Sequence, residues 1–192
     1  MIVVHHLDNT RSQRVLWLLE ELTLPYRIVH ESYHFQNLEL SPVITDGEVT
    51  LSECGAIIYY IIQKYGLGKF QVPGDRVIDD VFFAHYSEGS LLPLVYQKYV
   101  CSPNVIRSTS VIRRFFLKIA FKFMDKHILL PELRKHADMA KAHLSRTQAT
   151  WFAGGSAPSA ADFLMIFPLE GLCAFGIAGP CTHGYVKNVH ER

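Results

Sequence analysis

A short apolar-rich run over Ile2 to Leu7 precedes a polar break at Asp8-Asn9-Thr10, and the run reads as a strand. From Ser12 to Leu22 the apolar positions Val15, Leu16, Leu18, Leu19 and Leu22 fall on one stripe, with Glu20 and Glu21 off it, which predicts an amphipathic helix. Pro25 ends that pattern, and Tyr26-Arg27-Ile28-Val29-His30 alternates as a second strand. A parallel crossover through the helix is then right-handed. Val43-Ile44 and Val49-Thr50-Leu51 are short β-prone runs on either side of Asp46-Gly47, the strongest local hairpin signal in the chain. Ser52 and Glu53 open the next helix, over residues 53 to 65, where Ile57, Ile58, Ile61, Ile62 and Tyr65 pack while Gln63 and Lys64 are solvated. Pro42, just before the first hairpin strand, is either an edge residue or part of a cis bond.

Periodicity then breaks at Gly66 to Phe70 and Pro73-Gly74-Asp75, which marks a domain boundary. Beyond Val77 only helical periods remain. Residues 77 to 100 carry aromatics at near-helical spacing with a kink expected at Pro93. Ser110 to Leu130 reads as a long helix, Leu133 to Ser145 as another after Pro131, Ala160 to Phe175 as a buried apolar one, and Tyr185 to His190 as a last short piece. Ser159-Ala160-Ala161-Asp162 is a capping box in front of the apolar helix.

Composition narrows the function. The chain has 192 residues, room for one large domain or two small ones, and 49% are hydrophobic, enough for a substantial core. The net charge of +1 gives no case for nucleic acid as the main partner. Cys54, Cys101, Cys173 and Cys181 show no paired spacing, so free thiols in a reducing compartment are expected. The first residues lack the basic n-region of a signal peptide, and no apolar run is long enough to span a membrane. The ten histidines show no HExxH and no ligand spacing with carboxylates or cysteines, and His5-His6 alternates across a strand, so no metal is predicted. There is no GxGxxG and no phosphate loop.

Pro42, the Asp46-Gly47 hairpin, the acid Glu53 with small Cys54, and Gly55-Ala56-Ile57 together resemble the glutathione-binding half of the cytosolic glutathione S-transferase family. Asn9-Thr10-Arg11 resembles the Asn-Ser-Arg of its fungal and bacterial members, and Trp151 to Gly155 with the capping box resembles its helical domain. The resemblance covers nearly the whole chain. It implies α/β plus all-α architecture: a thioredoxin-like glutathione-binding domain over 1–68, then an all-helical bundle over 77–192 for the hydrophobic co-substrate. It also implies a cytoplasmic homodimer, a detoxifying transferase that activates glutathione as co-substrate against a small hydrophobic electrophile.

In that family Pro42 would be cis, and Ser41 before it would offer backbone N–H and C=O to the cysteinyl part of glutathione. Glu53 would hold the γ-glutamyl ammonium. The next residue, usually Ser, holds the γ-glutamyl carboxylate; here it is Cys54, a weak side-chain donor, although the helix-start N–H still serves an anion. A hydroxyl at the first strand-to-helix turn points at the glutathione sulfur, and here that is Thr10, with Asn9 and Ser12 as reserve donors. One hydrogen bond to a charged acceptor, roughly 1.5–3 kcal/mol, lowers a thiol pKa by about one to two pH units. The thiolate is the nucleophile. Alternatively Thr10 caps the helix and Glu53 is an ordinary first-turn acid.

Ala84 to Ser90 resembles the family's co-substrate wall and offers His85, Tyr86 and Tyr96, though each also suits core packing. Arg114, Lys118, Lys122 and Lys126 form a basic stripe opposite Phe115, Ile119 and Phe123. A membrane-surface helix has this pattern, and so does the solvated face of a packed helix, which base rates favour. Between His30 and Ser41 the family carries a further helix and a basic loop; here Glu31 to Leu40 has no lysine, and His34, Gln36 and Asn37 are the substitutes. The shortened segment predicts weak glutathione affinity. Two rivals follow: a catalytically weak or inactive ligand-binding protein on the same fold, and an oxidoreductase using Cys54 as a redox thiol.

Overall fold

The computed structural model describes residues 1–7, 10–30, 42–72, 74–101, 110–147 and 150–192. Strand β1 (Ile2–His6), helix α1 (Gln13–Glu21), strand β2 (Tyr26–His30), strands β3 (Val43–Asp46) and β4 (Val49–Ser52) and helix α2 (Cys54–Tyr65) follow in order. The sheet runs β2-β1-β3-β4, with β1 parallel to β2 and the other pairs antiparallel. This is the thioredoxin-like arrangement. The hairpin loop is Gly47-Glu48, because Asp46 pairs with Val49. Gly47 takes φ +63°, which suits the first loop position of a type II′ turn.

Val4, Ile44, Val15, Leu18, Leu19, Ile57, Ile58 and Ile61 are fully buried between the sheet and the two helices. Burial of each such side chain is worth about 1.5–3 kcal/mol. Asp46 also serves as an anchor. It is buried, and its Oδ2 accepts from the Tyr60 hydroxyl at 2.8 Å, the Lys64 ammonium at 2.7 Å and the Tyr65 hydroxyl at 2.6 Å. Three donors from one helix face thus tie α2 to the hairpin, and Lys64 is an ion-pair partner rather than merely solvated.

The rest is helical: α3 (Val77–Tyr86), α4 (Leu92–Val100), α5 (Val111–Met124), α6 (Leu130–Thr147), α7 (Ala160–Ala174) and α8 (Pro180–His190). Contacts divide the chain into Met1–His85 with Thr150–Phe167, and Tyr86–Ala149 with Pro168–Arg192. Ala84, Phe163 and Leu164 join the core of the first unit. Trp17, at the edge of that core, lies 4.4 Å from the Phe163 ring. The capping box forms as expected: Asp162 Oδ2 accepts from the Ser159 N–H at 2.9 Å and its hydroxyl at 3.0 Å, while Oδ1 takes the Phe152 N–H at 2.9 Å.

In the second unit α6 packs on α8 and α4. Gly171 of α7 permits close approach to Val95 of α4, since a Cβ there would meet Val95 Cγ1 at 2.5 Å. Three helical expectations change. A wide π-type turn at Ser87–Leu91 precedes Pro93, which then sits in the first turn of α4. The break expected at Pro131 is instead a wide turn at Asp125–Leu129 that leads directly into α6, with Pro131 just after it, the turn absorbing the N–H that proline lacks. The last helix begins at Pro180, earlier than expected. A fourth correction concerns α5: Phe115, Ile119 and Phe123 are exposed, not packed, while Leu117 and Phe121 are half-buried.

Candidate active site

Register brings the site together. His5 of β1 pairs with Val43, and Val43 pairs with Ser52. The carboxyl end of β1, the start of β3 behind buried Pro42, and the end of β4 therefore share one edge of the sheet. Helices α1 and α2 both begin at that edge. Ligands in open α/β sheets gather at the carboxyl ends of parallel strands. One contact joins the two helix starts: Cys54 Sγ lies 3.8 Å from the Arg11 carbonyl and donates to it.

At the turn after β1 the hydroxyls are networked. Thr10 Oγ1 donates to the Leu7 carbonyl at 2.6 Å and lies 2.9 Å from Ser12 Oγ. Ser12 Oγ is 2.7 Å from His6 Nδ1 and 3.2 Å from the same Leu7 carbonyl. Ser12, not Thr10, occupies the N-cap position of α1, and its side chain makes no cap hydrogen bond. Thr10 is half-buried, whereas Ser12 is fully buried and reaches Thr10 rather than the surface. Sequence reasoning missed His6; the available signal was its place at the last position of β1, directly before the turn. It also missed Arg14, fully buried with its guanidinium 5.1 Å above the Phe167 ring, a cation–π contact.

Glu53 precedes α2 with φ +74° and ψ 116°, an unusual backbone for a residue with a side chain. Its side chain is exposed and makes no cap bond, so the plain capping role does not apply. Cys54 is 1% exposed. Its thiol is spent on the Arg11 carbonyl, which argues against accessible redox chemistry there. Asn9, Ser41, His34, Gln36 and Asn37 lie outside the described residues.

Of the co-substrate candidates, His85 is exposed, Tyr96 is exposed and Tyr86 is half-buried. The Tyr86 hydroxyl hydrogen-bonds with His136 Nδ1, a partner the sequence did not signal. Burial pushes the Tyr86 phenol up to about 12 and holds the His136 imidazole below its ordinary value, so both are neutral at pH 7. Among the described residues no group of three or more His, Cys, Asp and Glu side chains is arranged to hold a metal.

Comparison with known proteins agrees with this fold. Residues 1–63 match the family model "Glutathione S-transferase, N-terminal domain". The chain is 32% identical over 187 residues to glutathione S-transferase 3 of Schizosaccharomyces pombe, covering 88% of this chain and 73% of that one. It is 28% identical over 192 residues to glutathione S-transferase 1 of Saccharomyces cerevisiae, covering 88% and 80%. Among solved structures, Ure2p5 from Phanerochaete chrysosporium superposes with a TM-score of 0.75 at 18% identity, covering 100% of this chain and 89% of that one. That protein was cocrystallized with 1-(S-glutathionyl)-2,4-dinitrobenzene.

Proposed function

The chain belongs to the glutathione S-transferase family, and from that premise we propose how its own residues carry out the transfer. It is a glutathione transferase, activating the glutathione thiol for attack on, or reduction of, a small hydrophobic electrophile. The observation that carries the residue assignment is the Cys54–Arg11 contact, which puts the Glu53-Cys54 helix start beside the Thr10 turn.

Thr10 is the donor to the glutathione sulfur. In the free protein its proton goes to the Leu7 carbonyl. A neutral hydrogen bond nets about 0.5–1.5 kcal/mol, whereas one to a charged acceptor nets about 1.5–3. Exchanging Leu7 for a thiolate is therefore favourable by about 1 kcal/mol, which lowers the thiol pKa by roughly one pH unit. The exchange does not strand the carbonyl, because the Ser12 hydroxyl stands 3.2 Å from it. His6 Nδ1–H can then donate to Ser12 Oγ, leaving the serine proton free to turn toward Leu7.

Glutathione lies across the shared sheet edge. The Ser41 backbone, ahead of Pro42, pairs with its cysteinyl unit, and Asn9 is a reserve donor. The Glu53 carboxylate takes the γ-glutamyl ammonium, and the N–H groups at the start of α2 take the γ-glutamyl carboxylate. Cys54 holds that helix start in place through its thiol. In conjugation the sulfur forms a bond to an electron-poor carbon, the carbon–halogen bond breaks, the halide leaves with its electron pair, and the thiol proton passes to solvent. His85, Tyr86 and Tyr96 are assigned to the hydrophobic co-substrate. In this reading residues 1–68 bind glutathione and residues 77–192 bind the co-substrate, in a cytoplasmic homodimer that serves detoxification.

The test is retention on immobilised glutathione followed by turnover of an aryl halide. Wild type and Cys54→Ala are expected to bind and turn over, and Thr10→Ala to bind with turnover lost. Loss in Cys54→Ala with retention in Thr10→Ala would move the chemistry to the cysteine. Binding without turnover in the wild type would favour a ligand carrier.

A further inference from the structure

Helix α5 carries apolar residues on two sides, one half-buried and the other exposed. Leu117 and Phe121 are half-buried, and Leu129 and Leu133, at the same spacing, are fully buried. On the other side Phe115, Phe116, Ile119 and Phe123 are 63%, 66%, 56% and 62% exposed. Phe115, Ile119 and Phe123 recur every fourth residue, so they stack along one side of the helix with Phe116 beside them. Met124 and Ile128 extend the exposed apolar surface into the next turn. Contiguous apolar surface of this kind marks a contact site.

Cations border the stripe. Lys118 and Lys122 lie along one margin, Arg113 on the other, and Lys126 follows, all exposed. From 110 to 131 there are five cations, counting Arg114, and one acid, Asp125, which is bound to Lys98. The whole chain is nearly neutral at +1, so this is a local surplus. A second copy seated here by two-fold symmetry would bring two cationic faces together. A planar anionic surface satisfies both chemistries at once: the aromatic and aliphatic side chains enter the headgroup–acyl boundary, and the lysines reach up to lipid phosphates. No described helix is long and apolar enough to cross a membrane, so α5 would lie along the surface.

We infer that the outward face of α5 is a docking surface for an anionic lipid bilayer, bound peripherally and reversibly. Phe116, Ile119 and Phe123 are its apolar anchors, and Lys118, Lys122 and Arg113 its headgroup contacts.

The test is cosedimentation of the full chain with vesicles of phosphatidylcholine alone or with about a third phosphatidylserine. Wild type is expected to pellet with the anionic vesicles, weakly with the neutral ones, and less as salt rises. Each lysine near an anionic surface contributes roughly fivefold to partitioning, so K118E/K122E should weaken it by more than about tenfold. F116S/F123S should abolish it. Both variants change exposed positions and should keep aryl-halide turnover in solution, which confirms folding. The inference fails if wild type does not pellet, if neutral vesicles capture it equally, or if either variant pellets like wild type. It also fails if F116S/F123S loses self-association in sedimentation velocity while vesicle binding is absent throughout.

Discussion

Ser12 Oγ stands 2.7 Å from His6 Nδ1, a side-chain contact between the first turn of α1 and the last residue of the neighbouring strand. Ser12 is buried and so acts on glutathione only through Thr10 and the Leu7 carbonyl, both within hydrogen-bond distance of its hydroxyl. The pair sets which proton is available to the Thr10 turn.

Ser12→Ala should therefore leave Thr10 tied to Leu7. The pH at which turnover is half-maximal is expected to rise, with kcat/KM lower by about tenfold near pH 6.5 and regained at alkaline pH. KM for glutathione should change little. His6→Asn keeps a donor near the Nδ1 position and should retain the wild-type profile, whereas His6→Phe should shift as Ser12→Ala does. Unchanged pH–rate profiles in Ser12→Ala and His6→Phe would reduce the pair to packing.

Asp46 supplies a pH-dependent contribution to stability. Hydrogen bonds from Lys64, then Tyr65 and Tyr60, hold its carboxyl down from 3.8 to about 2. A depressed carboxylate stabilises the fold fully above its unfolded pKa and loses that contribution as pH falls through the folded one. Asp46→Ala should accordingly be less stable than wild type at pH 7, and the gap should close between about pH 4 and pH 2. Urea midpoints across that range measure it. A gap that stays constant would show that the three donors do not stabilise the ionised form.

Asp162 accepts from two backbone N–H groups and one hydroxyl in the first unit. Removing it strands buried donors at about 1–3 kcal/mol each, so Asp162→Ala should cost about 2–4 kcal/mol in chemical denaturation. Turnover per folded molecule should be unchanged, because Asp162 is bonded to Phe152 and Ser159, neither of which is assigned to the glutathione site. A stability loss below about 0.5 kcal/mol would mean that water or neighbouring groups replace the carboxylate.

The strands and the first two helices were legible because each has a local cause: the stripe of Val15, Leu18 and Leu19, the alternation of β2, the Gly47 turn. Thr10 and Glu53 could be located because each sits where a strand meets a helix. His6, Arg14 and the three-donor anchor on Asp46 were not legible, since each depends on partners supplied by folding. Tyr60, Lys64 and Tyr65 look like ordinary helix positions until the hairpin lies against them. Helix α5 misled for a different reason. A helix with apolar residues on two sides satisfies the periodic pattern whichever side is covered, and here Leu117 and Phe121 are the more covered ones. The wide turns before Pro93 and Pro131 were misplaced because proline signals a disturbance in the hydrogen-bond ladder without saying on which side it is absorbed.

Ultraviolet titration of the thiolate of bound glutathione, in wild type and in Thr10→Ala, tests the assignment of the sulfur's hydrogen-bond donor. A bound thiol pKa about one pH unit below that of free glutathione in the wild type, returned to the free value in Thr10→Ala and restored in Thr10→Ser, is the predicted result. The same pKa in wild type and Thr10→Ala would contradict it.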